Sequence, residues 1–160
     1  MLPTGYTLRT AGPEDAGAVR HHRRAMFHAM GLTDEARLNQ MDAAFAGWLE
    51  VHLADGHYIG LLACAEDGEI AAGAGIWLLD WLPTYYCPDQ ARAYLLNVYT
   101  EPAHRRRGLA RALVTACIET CVARRVPLIM LHASSEGRAV YESLGFTGSN
   151  EMRLFLEGGP

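Results

Sequence analysis

The chain contains no lysine; all 14 of its basic residues are arginine. A Schiff-base lysine is therefore excluded as a catalytic device, and so is self-modification on a lysine side chain. Cysteine is sparse: Cys64, Cys87, Cys117 and Cys121 include no C-x-x-C pair. Cys117 and Cys121 are four apart in a helical stretch and share a face, but no further Cys or His follows at ligand spacing. The four thiols read as small buried hydrophobes in a reducing compartment, with no disulfide and no metal site. No apolar run approaches the ~20 residues that span a bilayer. The opening residues, Met1 to Gly5, lack the basic and apolar segments of a leader peptide. The expectation is a cytoplasmic protein with no membrane partner.

Two phosphate-binding loops are also missing, since neither G-x-x-x-x-G-K nor G-x-G-x-x-G occurs. A broad basic face is absent as well. The net charge is −4, which argues against nucleic acid as a partner, the cluster His104-Arg105-Arg106-Arg107 being the local exception. What remains is an ordinary globular composition of 160 residues, half hydrophobic and one-fifth charged. It suits one domain over residues 1–160 that buries its own core.

Hydrophobic periodicity divides the chain into strands and helices. Residues 6–10 read as a short strand. Pro13-Glu14-Asp15 opens a helix, with proline in the first turn and acids at the positive end of the dipole, and Gly31 stops it. A second helix starts from about Thr33 as cap and carries Leu38, Met41, Phe45, Trp48 and Leu49 on one face. Residues 58–65 and 70–79 are two strands joined by an Asp67-Gly68 hairpin turn. Residues 81–90 form a loop with two prolines. Residues 94–99 are nearly all apolar, as a central strand requires. A long helix runs over 108–125 and ends at Pro127. Residues 128–133 form another buried strand, Ser134 caps a helix through Leu144, and residues 152–156 form a last strand. The order is β-α-α-β-β-β-α-β-α-β. The later strand-helix-strand unit predicts a parallel pair, and the earlier strands are antiparallel. The fold class is α/β: a mixed, mostly antiparallel central sheet with helices on both faces.

The chemistry concentrates at Asn97-Val98-Tyr99-Thr100-Glu101-Pro102-Ala103-His104-Arg105-Arg106-Arg107-Gly108-Leu109-Ala110-Arg111. A buried strand stops, a loop turns, and a helix begins at glycine. The first N–H groups of a helix lack internal partners and sit at the positive end of its dipole. Small residues at Gly108 and Ala110 let an anion approach the backbone, an arrangement suited to pyrophosphate.

Arg105-x-x-Gly108-x-Ala110 resembles the Gln/Arg-x-x-Gly-x-Gly/Ala signature of the GNAT acetyltransferase superfamily. Tyr141-x-x-x-Gly145-Phe146 is similar to a second segment of that family, and the order of elements matches over nearly the whole chain. The phrases Leu131-His132-Ala133-Ser134 and Asn150-Glu151-Met152-Arg153-Leu154 resemble a small bacterial subgroup of unassigned substrate. The resemblance implies an acetyl-CoA-dependent N-acetyltransferase in which a primary amine attacks the thioester directly in a ternary complex. The acceptor would be a small molecule or a peptide N-terminus, and a homodimer is compatible with the family. It implies CoA contacts from Val98, Tyr99, Thr100, Arg105, Arg106, Arg107, Gly108, Leu109, Ala110, Arg111 and Ser134. It implies Tyr141 as the acid that protonates the departing thiolate. It also implies that the sheet splits between residues 94–99, which carry a bulge, and residues 128–133. The acceptor site would be lined by residues 21–34 and 77–90, with Trp77, Trp81, Tyr85 and Tyr86 as an aromatic wall.

One departure stands out. Many members carry a glutamate on the fourth strand as general base, and residues 94–99 contain no acid. Asp80, Asp89, Glu101 and His132 are the candidates elsewhere. Alternatives are a non-catalytic CoA-binding or regulatory module, and transfer of a longer acyl group.

Overall fold

The structure is a computed structural model that describes residues 1–85 and 87–156. Five strands form one sheet in chain order: β1 (Tyr6–Thr10), β2 (Tyr58–Ala65), β3 (Ile70–Asp80), β4 (Ala91–Thr100) and β5 (Ile129–Leu131). The first four pair antiparallel and β4 pairs β5 in parallel, as expected of a strand-helix-strand crossover. The helices are α1 (Ala16–Ala29), α2 (Glu35–Ala54), α3 (Leu109–Ala123) and α4 (Arg138–Glu142). No described helix is long and apolar enough to cross a membrane.

Two apolar cores follow from the two faces of the sheet. On one, α3 buries Leu109, Leu113, Val114, Cys117 and Cys121 against Ile59, Leu61, Ala63, Ile76 and Leu95. On the other, Val19 of α1 and Phe45 and Leu49 of α2 meet Tyr58, Leu62 and Cys64. Each fully buried leucine contributes about 1.5–3 kcal/mol relative to its exposed state. All four cysteines are buried and unpaired, and burial pushes the Cys117 thiol up to about 12.

Several boundaries move from their sequence expectations. Pro13–Asp15 makes a single 3-10 turn before α1. The cap of α2 is Asp34, whose side chain accepts from the Arg37 N–H, and not Thr33. The strand at residues 128–133 shortens to Ile129–Leu131, and α4 begins only at Arg138. Ser134 instead caps the preceding turn, its Oγ accepting from the Gly137 N–H at 3.1 Å.

The last expected strand, residues 152–156, is not formed. Met152, Leu154 and Leu156 are exposed at 95%, 84% and 87%. Alternating apolar residues favour a strand only where a neighbour supplies a ladder. The nearest sheet edge here, β5, is three residues long.

Candidate functional site

The pairing of β4 sets the site. Its ladder to β5 spans only Ala93 to Leu95, opposite Ile129 to Leu131. Beyond Leu95, β4 continues to Thr100 with its β5-side backbone groups released. On its other side the register to β3 shifts between Gly73–Tyr99 and Gly75–Leu96, so β4 carries extra backbone there. Within that bulge Asn97 adopts φ of 55°, a left-handed conformation uncommon outside glycine, though asparagine tolerates it better than most residues.

The contacts that hold it come from the α1–α2 face. The Asn97 side chain is buried; its Nδ2 donates to Tyr58 Oη at 3.1 Å, and its Oδ1 accepts from Arg23 Nη1 at 2.8 Å. Tyr58 belongs to β2 and reaches Asn97 over β3, where Gly75 leaves the space. A Cβ on Gly75 would lie 2.3 Å from Tyr58 Oη. Burial raises the Tyr58 phenol to about 12, so it stays protonated. Gly73 makes the same allowance for His22, whose Nδ1 lies 2.7 Å from where a Cβ would stand. His22 is buried against Tyr99, and desolvation drives its pKa down to about 4, with Glu101 opposing and His21 adding to the fall. A cavity of about 10 Å³ sits among His22, Tyr58, Gly73 and Asn97, the room of about one water molecule.

At the end of β4 the chain turns through Pro102–His104 into α3. Arg106 and Gly108 both take left-handed backbone, at φ of 62° and 84°. Gly108 is the N-cap of α3, and its own Cβ position has only Pro3 Cγ, at 3.8 Å, in contact. The first bond that closes on this turn is Ala112 N–H to Gly108 C=O. The backbone N–H groups of residues 106–111 have no acceptor among the described residues. Successive N–H groups in alternating backbone conformations form a concave anion site, and the dipole of α3 strengthens it. A pyrophosphate fits this cradle by its charge and by the absence of a side chain at Gly108.

Three of the arginine side chains are tied back to the protein. Arg105 Nε donates to Thr100 C=O at 3.1 Å, Arg107 Nη1 to Tyr6 Oη at 3.0 Å and Arg111 Nη1 to Ser143 Oγ at 2.8 Å. These guanidinium groups brace the loop on β1, β4 and the chain after α4, while Arg106 is exposed. Their contribution to an anion is a field plus the backbone N–H groups they hold in place.

Tyr141, on α4, packs edge-on against Phe146 with ring centroids 5.8 Å apart, and against the α3 core. Burial, then the neighbouring Cys117, raises its pKa, so the phenol is protonated at neutral pH. Its hydroxyl makes no hydrogen bond with the described residues and is not sealed from solvent.

The four base candidates scatter. Asp80 and Asp89 are exposed at the two ends of the 81–90 loop. His132 is exposed beyond β5 and bonds the Tyr94 hydroxyl. Only Glu101 lies close to the bulge in chain, half-buried, with His21 Nε2 at 2.9 Å and His22 Nε2 at 3.5 Å. The aromatic wall is also partial. Trp77 packs edge-on against Trp48 at 5.5 Å, Trp81 is 41% exposed and Tyr85 94% exposed. Tyr86 lies outside the described residues. Arg23, Tyr58 and Asn97 were not singled out from sequence. The available signal was the lone amide in an otherwise apolar strand, opposite the small-residue run Ala71-Ala72-Gly73-Ala74-Gly75.

A model of the acetyltransferase (GNAT) family matches residues 18–146, and the chain belongs to that family. A GCN5-related N-acetyltransferase from Ralstonia eutropha JMP134 superposes with a TM-score of 0.91 at 34% identity, over 96% of this chain and 100% of that one. A predicted acetyltransferase from Clostridium acetobutylicum, solved with acetyl-CoA, gives 0.83 at 26% identity over 94% and 95%. An Agrobacterium tumefaciens putative acetyltransferase gives 0.68, also at 26%, over 94% and 99%. No curated protein matches the chain.

Proposed function

We propose that the chain is an acetyl-CoA-dependent N-acetyltransferase: one cytoplasmic domain over residues 1–160 that passes the acetyl group to a primary amine in a ternary complex. The observation that carries this reading is the pairing of a bulged β4, split from β5 beyond Leu95, with an anion cradle at the start of α3 on the same chain segment. Acetyl-CoA supplies an activated acyl group on sulfur. The N–H groups of residues 106–111 bind its pyrophosphate. Val98, Tyr99 and Thr100 present the released β4 backbone to its extended arm, and Ser134 stands across the split.

Backbone groups freed at the bulge are preorganised to polarise a carbonyl, because Asn97 is held from behind by Tyr58 and Arg23. Tyr141 holds its proton through burial and delivers it to the sulfur as the thiol departs. The amine meets this centre from the α1–α2 face, and Glu101 with its two histidines is the group best placed to take up the amine's proton.

The test has two readouts. At a hundred times its dissociation constant, CoA raises stability by about 2.7 kcal/mol, read as a shift in Tm. Free-thiol release from acetyl-CoA then rises on addition of an amine panel. A Tm that CoA leaves unchanged overturns the reading. Binding without release on any amine makes the chain a CoA-binding module, and release only from longer acyl-CoA changes the donor.

A further inference from the structure

We infer that Arg23 is an anchor for a carboxylate on the acceptor, which makes the acceptor a compact amino acid rather than a plain alkyl amine. This inference rests on the acetyltransferase reading for its location, and on the Arg23 environment for its chemistry.

Arg23 projects from α1 toward β4 and is mostly buried. Its only hydrogen bond to the described residues is the one from Nη1 to Asn97 Oδ1. Among the described residues, Nε is buried with no partner, Nη2 has no acceptor, and no carboxylate forms an ion pair with Arg23. The aromatic rings of Phe27 and Phe45 lie against the guanidinium, 5.1 and 4.5 Å from its Cζ. Those contacts occupy its flat surface and leave the in-plane N–H edge for a partner.

The neighbouring Arg24 shows what a satisfied arginine looks like in the same stretch of helix. It pairs with both Asp42 and Glu35. Asp42 gives its Oδ2 to Arg24, while its Oδ1 is buried without a partner; it acts on Arg23 at a distance but forms no ion pair with it. The chain thus places two consecutive arginines on α1, gives one of them two carboxylates, and gives the other an amide and two phenyl rings.

A half-buried guanidinium with no carboxylate in direct contact is costly, because burial penalises the charged form and the more distant Asp42 offsets only part of that. The missing partner has a defined chemistry. The free edge is planar and offers parallel N–H groups, the match for a carboxylate. The negative field of Asp42 opposes any anion here, and a doubly charged phosphoryl group more strongly than a singly charged carboxylate. The location supplies the rest. Arg23 touches the side chain of the very residue that forms the bulge, on the face of the sheet opposite α3. A ligand whose carboxylate rests there can put an amine beside the released β4 backbone only if the two groups are a few bonds apart. A peptide N-terminus lacks the α-carboxylate and brings a carboxylate at that spacing only when its first residue is Asp or Glu.

The experiment compares amino acids with their carboxamides as acceptors for the full chain. In wild type, kcat/KM favours the free carboxylate by about tenfold or more, the range of a hydrogen bond to a charged group. Arg23→Gln brings that ratio close to one, Arg23→Lys restores part of it, and Arg24→Gln leaves it unchanged. The CoA-induced Tm shift checks that each variant is folded. Calorimetric binding of N-acetyl amino acids and their amides to the CoA-bound protein gives the same ratio without turnover. Carboxylate-selective, Arg23-dependent binding with no thiol release sustains the anchor and overturns the catalytic reading. Equal use or binding of acid and amide by wild type, preference for phosphoryl-bearing amines, or a ratio that survives Arg23→Gln overturns the anchor.

Discussion

Tyr58 on β2 and Asn97 on β4 are hydrogen-bonded across the intervening strand, 3.1 Å from Nδ2 to Oη, because β3 has no side chain at Gly75. The contact fixes the one left-handed residue of the central strand. Gly75→Ala would put a methyl 2.3 Å from the Tyr58 oxygen and push the ring away. The expected cost is about 1–3 kcal/mol, typical of inserting a group into a packed core. Acetyl transfer should fall together with Tm, because Asn97 is released. Tyr58→Phe keeps the ring, and removes only the acceptor, at about 1 kcal/mol. Chemical denaturation and thiol release on both variants check this, and a Gly75→Ala protein as stable and active as wild type contradicts it.

Gly108 combines left-handed backbone with open space in front. Gly108→Ala should cost about 1–2 kcal/mol from backbone strain while leaving CoA a partial site. Gly108→Glu adds a negative side chain to the cradle and should abolish binding. Titration calorimetry with CoA on the folded variants reads the difference. Wild-type affinity in Gly108→Glu would place the anion elsewhere.

Tyr141→Phe removes a hydroxyl that has no protein partner and keeps a ring packed on Phe146. Stability should therefore hold. If the phenol donates to the departing sulfur, kcat falls by ~10²–10⁴ with little change in KM for acetyl-CoA. A kcat within a few-fold of wild type leaves Tyr141 a packing residue only.

Acid should loosen the fold through His22. Its pKa in the fold is about 4 against 6.5 in the unfolded chain, so below 6.5 the unfolded state binds a proton that the folded state refuses. Stability is fully present above pH 6.5 and declines as pH falls toward 4, by on the order of 3 kcal/mol. Asp15, held low by Arg9, adds to the loss only at lower pH, as its folded carboxylate is protonated. In Tm measured from pH 7 to 4, His22→Gln should show a shallower decline than wild type. Parallel curves would remove His22 as the cause.

Much of this architecture is legible in the sequence because it depends on periodicity. Leu38, Phe45 and Leu49 mark the buried face of α2, and the apolar run of residues 94–99 marks a strand covered on both sides. Gly108 was readable too, since a glycine before an apolar helical repeat signals a helix start. The Asn97 conformation was not, because a residue name does not encode φ. That angle comes from contacts with residues 39 and 74 positions away. The same limit applies to residues 152–156, whose alternation predicts a strand but cannot supply a ladder. The internal partners of Arg105 and Arg107, Thr100 and Tyr6, are likewise announced by no local pattern.

Arg92 of β4, at 1% exposure, carries its charge into the interior with no carboxylate beside it among the described residues. Its guanidinium is satisfied by three carbonyls instead, those of Cys87, Asp89 and Ala91, at 2.6 to 3.1 Å. The segment before β4 is thereby latched from inside the sheet, and Trp81 N–H to Gln90 C=O closes its base. Swinging this segment outward would strip a buried cation of two of its three acceptors, the carbonyls of Cys87 and Asp89, at once. The segment therefore behaves as masonry rather than as a door.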